Sequence, residues 1–333
     1  MGDKVKQKLE QLRSDYTEVV GQPFNFFYCP ILFRDEDIPL CQAHIINKAF
    51  SGSSKAWTVQ RSDVDKFYGS YFEADFEMLQ YPGNQSPADI FMDKELRRKL
   101  DPKILIDGEQ TDYFITRNKI PHGFTPIEFE KDGRLIVVAL KIGADEFLAA
   151  SEGKWEFEIS KDVRIASLVS LIKAAYLTLF DMFGYRYALS AAGYFIGRQI
   201  LGEFFLQNRG NRKPNTLQNA IPFFSEFAHM VRPVQSPGFD FQGTITDRMV
   251  LAVWGSSGLP WAIIVFIQTG QLMHCVMLPG YNQADMVSTY LDFLRNQNEL
   301  IFVTLCEYKQ AEAHWEKREP TRLTWPKTGV LYP

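Results

Sequence analysis

The stretch Cys41-Gln-Ala-His-Ile-Ile-Asn-Lys-Ala-Phe50 decides the fold of the N-terminal region, and Arg61-Ser-Asp-Val-Asp65 follows eleven residues after its end. His44 ends a short apolar strand, and a loop leads from it to a second short strand, Trp57-Thr-Val-Gln60. A helix start that carries the carboxylate of Asp65 comes next. The order predicts two strands and a helix, with a histidine and a carboxylate at defined places.

This layout resembles the HNH endonuclease family over roughly residues 24 to 80. Members typically read Asp/Glu-His-Ile-Ile/Val-Pro at the first strand and carry Asn or His at the helix start, where this chain has Asp65. The helix continues as Phe67-Tyr-Gly-Ser-Tyr-Phe-Glu-Ala-Asp-Phe76, which is similar to a segment that often follows in the family. The resemblance implies a ββα-metal finger in which His44 and Asp65 face each other.

The resemblance also implies the chemistry of such a finger. His44 would be the general base that takes a proton from water, and Asp65 would hold Mg²⁺ or Mn²⁺ against a phosphate. Arg61 and Lys66 flank this site, and either would hold phosphate oxygens or be an ordinary solvated charge. The expected substrate is nucleic acid, with DNA favoured over RNA, and a protein partner is the alternative.

Two departures from the family pattern concern the metal. Many relatives place a metal-binding acid directly before the histidine, where this chain has Ala43, and a proline after the Ile-Ile pair, where it has Asn47. A metal held by Asp65 alone would be bound weakly. Other oxygen ligands could replace the missing acid, and spacing does not select among Asp35, Glu36, Asn47 and Asp75.

A further departure concerns zinc. Many relatives staple the finger with two Cys-x-x-Cys pairs. Cys29 stands where the first pair would begin, but its partner position is Leu32, and Arg61 and Val64 stand at the second pair. The sequence therefore predicts no structural zinc.

Composition and charge limit the classes of protein. The chain has 333 residues, of which 46% are hydrophobic, so it can bury a substantial core. Its formal net charge is −4, whereas a non-specific nucleic-acid binder is usually basic. Contact with nucleic acid would need a local basic patch. The best cluster outside the finger is the loop residues Arg209, Arg212 and Lys213, which could contact a backbone or be a solvated connector.

Cysteine spacing and hydropathy favour a reduced, cytoplasmic protein that does not span a membrane. The four cysteines are far apart and form no Cys-x-x-Cys pair. The apolar stretch Ile165–Phe183 is interrupted by Lys173 and Asp181, so it does not offer the roughly twenty clean apolar residues of a membrane span. The charged N-terminus shows no signal sequence.

Hydrophobic periodicity predicts an α+β protein with three segments. Residues 1–100 hold an amphipathic helix over 3–20 and the HNH-like ββα-metal domain. Residues 101–159 form a β-rich connecting segment, with strands over 104–106, 113–115 and 135–140. Residues 160–333 are an α+β domain of unknown role. Its helical segment begins with a helix closed by Gly184 and continues with helices over about 191–207 and 216–229. An antiparallel sheet follows, with strands over 248–254, 261–268, 272–278 and 300–306 and a helix over 282–296.

Two functions remain open. The first is a metal-dependent HNH-type endonuclease that hydrolyses phosphodiester bonds, a kind of protein that the resemblance connects with bacterial antiphage defence. The second is a catalytically degenerate HNH fold that acts as a binding or scaffold module. His44 and Asp65 favour the enzyme. Ala43, the missing zinc cysteines and the acidic net charge favour the module.

Overall fold

The structure is a computed structural model of an α+β protein with antiparallel sheets and several helices, as the sequence predicts. It describes residues 2–46, 55–70, 87–94, 97, 102–106, 109–116, 120, 122–131, 133–145, 156–159, 163–209, 230–234, 240–241, 244–254, 260–269, 272–280, 287–288, 290–292, 294, 300–306 and 321–324.

The chain forms two compact units. One comprises Met1–Ala74 and Arg164–Pro333, and the other comprises Asp75–Val163. The division predicted from the sequence, with boundaries at 100 and 159, differs from this one. The reason is packing between distant segments, because residues around the predicted finger contact the helices between Val163 and Asn208, as the hydrogen bonds from Tyr176 to Pro30 and from Tyr68 to Leu201 show.

The N-terminal helix, α1, spans Asp3–Val20 as predicted. It buries an apolar stripe of Val5, Leu9 and Leu12, which are spaced by about one helical turn. Gly21 ends the helix in the left-handed conformation at φ 85°, and its N–H donates to the carbonyl of Thr17 at 2.8 Å.

A strand–strand–helix unit follows. Strand β1 spans Leu40–His44, strand β2 spans Trp57–Arg61, and helix α2 spans Ser62–Tyr68. The strands pair antiparallel from Leu40 opposite Arg61 to His44 opposite Trp57. The predicted order of elements is therefore present, with α1 in front of it.

The unit of residues 75–163 contains helix α3, Pro87–Met92, and two three-stranded sheets. The first sheet has the order β4-β3-β8, with β3 Pro102–Ile106, β4 Glu109–Thr111 and β8 Glu156–Ile159. The second has the order β5-β7-β6, with β5 Tyr113–Thr116, β6 Thr125–Lys131 and β7 Arg134–Leu140. The three strands predicted here are confirmed, and β4, β6 and β8 were missed. The aliphatic core contains Phe91, Ile104, Ile106, Ile136, Val138 and Leu140.

A long helix, α4, spans Val163–Ala188 and is interrupted at Gly184, where φ is 58° and ψ is −142°. Asp15 of α1 accepts a hydrogen bond from the N–H of Tyr185 at 2.6 Å, which satisfies a donor freed by the break. The prediction that Gly184 closes this helix is thus partly right, since helical residues continue to Ala188.

A continuous helical run then covers the second predicted helix. It consists of α5, Ala191–Tyr194, a π-helix, Phe195–Gly202, and α6, Glu203–Asn208. A third helix predicted over 216–229 lies outside the described residues.

The remaining strands form one antiparallel seven-stranded sheet with the order β10-β15-β14-β11-β12-β13-β9. Its strands are β9 Val231–Pro233, β10 Asp240–Phe241, β11 Val250–Trp254, β12 Pro260–Thr269, β13 Leu272–Pro279, β14 Leu300–Cys306 and β15 Thr321–Thr324. The four predicted strands are confirmed. The helix predicted over 282–296 is described only at 287–288, 290–292 and 294, which are helical.

One helix of the described residues is long and apolar enough to cross a membrane. It is the 21-residue stretch Leu168–Ala188 of α4, and 83% of its most apolar window is buried inside the protein. Core helices of globular proteins share these properties.

Candidate functional site

The residues of β1 alternate in exposure, whereas β2 is buried on both faces from Thr58 to Arg61. Cross-strand partners share a face, so Ala43 and Thr58 lie on one face together with Gln60, and all three are fully buried. Gln42 and His44 lie on the other face, where Gln42 is exposed and His44 is half-buried. The residue before the histidine therefore points into the protein.

Asp65 of α2 lies next to the face of β1 that carries Cys41 and Ala43. Its side chain is 31% exposed, and the thiol of Cys41, on the same face of β1 as Ala43, lies beside it. Burial raises the pKa of Cys41 to about 11, and the negative charge of Asp65 acts in the same direction. The thiol is accordingly protonated at neutral pH.

A lysine from a distant helix completes this group. Lys173 of α4 is fully buried, and its Nζ lies 3.9 Å from Oδ1 of Asp65. The same Nζ lies 5.5 Å from the centre of the Tyr68 ring, within the range of a cation–π interaction. The structure thus groups Asp65 with Cys41 and Lys173.

His44 lies on the other face of β1 from Cys41. It follows Cys41 by three residues, about 10 Å along an extended strand. That His44 and Asp65 face each other across the finger stays a prediction.

Arg61, predicted to contact phosphate, is engaged inside the protein. Its guanidinium group is only 7% exposed, pairs with Glu36 and lies 2.8 Å from a carboxylate oxygen of Asp63. Burial favours neutral Asp63, but the hydrogen bonds and charge of Arg61 outweigh this and hold the pKa of Asp63 below its ordinary value. An Arg61 held between two carboxylates is not free to bind a ligand.

The other basic residues predicted to contact phosphate or a nucleic-acid backbone are exposed or lie outside the described residues. Lys66 on α2 is exposed, and so is Arg209, which directly follows α6. Arg212 and Lys213 lie outside the described residues. Lys66 and Arg209 are therefore the two predicted contacts that the structure places at the surface.

Of the four alternative oxygen ligands, the two in the described part of the chain are engaged by other groups. Asp35 accepts hydrogen bonds from the backbone N–H groups of Asn25, at 2.6 Å, and Phe26, at 2.9 Å. Glu36 pairs with Arg61. Asn47 and Asp75 lie outside the described residues.

These residues do not fit a divalent cation at Asp65. Within the described part of the chain, no group of three or more His, Cys, Asp and Glu side chains could share a metal ion. An ammonium group already lies beside the carboxylate, and two unit charges 4 Å apart interact by about 4 kcal/mol at an effective dielectric constant near 20. A dication would meet about twice that repulsion.

The segment around Cys29 forms a turn whose importance the sequence did not reveal. The Cys29 thiol accepts from the N–H of Leu32 at 3.4 Å and donates to Oε1 of Gln60 at 3.3 Å. Phe33 closes the turn at φ 56°, and its N–H donates to the Cys29 carbonyl at 2.8 Å. Burial raises the pKa of Cys29 to about 11.

Residues from α4 and the π-helix hold this turn. The hydroxyl of Tyr176 donates to the carbonyl of Pro30 at 2.6 Å, and Tyr185 donates to the carbonyl of Tyr28. A Cβ at Gly197 would lie 2.6 Å from the Pro30 carbonyl oxygen, so glycine permits the close approach. Side chains and a close backbone approach from distant helices therefore hold this turn in place.

Comparisons with protein-family models, with curated proteins and with solved structures find no match to this chain. The resemblance to the HNH family rests on the residues quoted for it. What the chain does is inferred from the side chains of the strand–strand–helix unit and their partners.

Proposed function

We propose that this chain is an HNH-like protein in which β1, β2 and α2 form a catalytically degenerate finger that acts as a binding or scaffold module. The observation that carries the proposal is the position of Ala43. It is fully buried, and it shares a strand face with Cys41, whose thiol lies beside Asp65. The methyl group of Ala43 stands where the resemblance gives a metal-binding acid.

The ion pairs formed by the charged residues of the finger support the same function. Arg61 is buried between Glu36 and Asp63, and Asp65 lies next to Lys173. Charges that a nuclease would direct at a metal and a phosphate are instead compensated within the protein. A module that holds its shape through such pairs needs no metal for folding.

Nucleic acid is the first ligand to test, with DNA ahead of RNA, and a protein partner is the second. Lys66 and Arg209 are exposed and carry the positive charge that a phosphate backbone requires. A net charge of −4 makes any such contact local and sensitive to salt. A cytoplasmic location and a role in antiphage defence belong to this proposal through the resemblance alone.

The second candidate is the metal-dependent endonuclease. His44 favours it, because this side chain ends β1 and is half-buried, so its ring could reach a bound phosphodiester. In that case His44 would accept the proton of the attacking water, and Asp65 would be the residue to hold Mg²⁺ or Mn²⁺, a metal that would supply Lewis-acid stabilisation if it displaced Lys173 from the carboxylate.

One experiment separates the two functions. The purified full-length chain is incubated with single- and double-stranded DNA and RNA in Mg²⁺ or Mn²⁺, beside His44→Ala and Asp65→Ala. The module predicts no cleavage that depends on either residue. Cleavage that falls on the order of 10²- to 10⁴-fold in His44→Ala, with the fold intact, would establish the enzyme instead.

Binding is measured on the same proteins by fluorescence anisotropy at two salt concentrations. Lys66→Ala and Arg209→Ala are expected to weaken binding to labelled DNA and to flatten its dependence on salt. Arg61→Lys is the matched comparison, because Arg61 is engaged internally and its replacement should change stability rather than the salt dependence. Unchanged binding in all three variants would direct the search to a protein partner.

A further inference from the structure

Lys173 is a buried charge in a part of the chain that has no resemblance to the finger. It lies on α4 with its side chain fully removed from solvent. A protonated amine is stable in such a place only beside compensating groups. Its Nζ has two on α2, the carboxylate of Asp65 at 3.9 Å and the ring of Tyr68 at 5.5 Å.

The carboxylate of Asp65 also needs a group that neutralises its charge. On β1 it lies beside the protonated thiol of Cys41, which shares a strand face with Ala43. Neither Cys41 nor Ala43 can neutralise a carboxylate. The ammonium group of Lys173 does, and it approaches from the protein interior rather than from solvent.

We propose that Lys173 is the built-in counter-ion of Asp65 and takes the place beside that carboxylate which the family resemblance gives to a divalent cation. A cation attached to α4 cannot dissociate, so α2 stays joined to α4 at any metal concentration. The inference deepens the proposed function and rests on it for the comparison with a finger. The counter-ion itself can be tested without nucleic acid.

The test is Mn²⁺ binding to the full-length chain, measured by electron paramagnetic resonance and isothermal titration calorimetry. Lys173→Met keeps the length and apolar stem of the side chain and removes the charge. It is expected to bind Mn²⁺ at least tenfold more tightly than the unmodified protein, because Asp65 loses its internal cation. The double variant Lys173→Met/Asp65→Asn is expected to lose this gain.

Lys66→Met is the matched control. Lys66 is adjacent to Asp65 in sequence and is exposed. Lys66→Met therefore changes the net charge by the same amount as Lys173→Met but leaves Lys173 beside the carboxylate of Asp65. We expect its affinity for Mn²⁺ to stay within about twofold of the unmodified protein, as exposed charges are screened. An equal gain in both lysine variants would overturn the proposal, since the effect would then be one of net charge.

Two further results would overturn it. The first is saturable Mn²⁺ binding by the unmodified protein that Asp65→Asn abolishes, because a metal would then be the natural partner. The second is a folded Lys173→Met that binds Mn²⁺ no better than the unmodified chain.

Asp65→Asn keeps the proposal testable if Lys173→Met does not fold. This variant removes the carboxylate of Asp65 from the buried amine, so the folding equilibrium constant should fall at least tenfold, independently of Mn²⁺. An unchanged constant would refute the counter-ion role. Metal-dependent cleavage that requires His44, found together with the expected Mn²⁺ results, would refute the proposed function and leave the role of Lys173 intact.

Discussion

Both compact units bury aliphatic side chains, but the larger one also buries many hydroxyl and charged groups. Among the described residues of 75–163, the core consists of aliphatic side chains and Phe91. In the other unit, the largest fully buried side chains include Arg232 and Lys173 together with a set of tyrosines, namely Tyr68, Tyr176, Tyr185, Tyr187 and Tyr290. A buried aliphatic side chain needs only neighbours of suitable shape, whereas a buried hydroxyl or amine needs a partner at a defined place.

The tyrosines show where such partners come from. Tyr68 donates its hydroxyl hydrogen to the carbonyl of Leu201 at 2.7 Å, and Tyr176 donates to the carbonyl of Pro30 at 2.6 Å. These partners are 133 and 146 residues away along the chain. The larger unit therefore depends on long-range polar contacts in addition to its apolar core, and replacing these polar groups should have a different effect from replacing aliphatic side chains.

The largest expected effect comes from a glycine. Gly184→Ala should lower the free energy of unfolding by about 4 kcal/mol. Alanine rarely adopts the backbone conformation at this position, and its Cβ would displace the Asp15 carboxylate from its hydrogen bond with Tyr185. The Cβ would lie 2.0 Å from a carboxylate oxygen of Asp15. Urea denaturation measures the change.

Gly133→Ala is the matched control in the other unit. Gly133 also has a positive φ, 70°, but its Cβ would meet no atom within 4 Å. Only the conformational penalty applies, so a loss of about 1 kcal/mol is expected. Similar losses at both glycines would show that the contact with Asp15 contributes nothing.

The next effect concerns the aliphatic core. Ile104→Ala is expected to destabilise residues 75–163 by about 3 kcal/mol, because it removes fully buried methyl groups and leaves a cavity. Ile104→Val should lose about 1 kcal/mol. Hydrogen exchange, followed by mass spectrometry, would locate the loss, and a loss spread evenly over both units would contradict the division into two cores.

Tyrosine hydroxyls should have a smaller effect. Tyr176→Phe removes only the donor to the Pro30 carbonyl, and about 1.5 kcal/mol of stability should be lost because a buried acceptor stays unpaired. Tyr113→Phe is the counterpart, since its hydroxyl donates to the carbonyl of Pro102 at 2.9 Å but is only partly buried. We expect a loss of about 0.5 kcal/mol there, and the reverse order would remove the distinction between the units.

The smallest effect is a dependence on pH. Burial raises the pKa of Asp15 above its ordinary 3.8, although the N–H of Tyr185 opposes the shift. The unfolded chain therefore releases this proton more readily than the folded chain, and stability due to Asp15 is full below pH 3.8 and is lost as the pH rises through the folded pKa.

Asp15→Asn removes this titration and keeps an oxygen that can accept from Tyr185. Unfolding measured from about pH 3 to about pH 6 should show the unmodified protein losing stability relative to the variant. Parallel curves for the unmodified protein and Asp15→Asn would show that the burial of Asp15 has no energetic consequence.

Periodicity was sufficient where local pattern and burial coincide. The spacing of Val5, Leu9 and Leu12 predicts α1, and the aliphatic run of β7 predicts a buried strand. It failed for β6, Thr125–Lys131, because Pro126 and alternating charges weaken the strand signal. The π-helix was also beyond sequence reasoning, although Gly197 and Gly202 mark the place where the turn at Pro30 approaches.

For the candidate site, the sequence supplied the order of elements and most of the relevant residues, but not their partners. His44, Asp65 and Arg61 were identified at their positions in β1, α2 and β2. The alternation of β1 then decided that Ala43 points inward and His44 does not. Contacts from α4 decided what Asp65 faces, and no spacing within residues 24–80 contains that information.

Lys173 and Asp181 show most clearly what the sequence determines and what only the tertiary structure decides. From the sequence, they only interrupt an apolar stretch and argue against a membrane span. In the structure Lys173 lies beside Asp65, and Asp181 pairs with Lys8 at 2.8 Å and Arg248 at 2.7 Å. The sequence by itself determined the α+β class, helix α1 and the strands with a clear apolar pattern, because hydrophobic periodicity is local. Only the tertiary structure decided which charges meet, because a buried charge is stabilised by groups that the fold brings from distant parts of the chain.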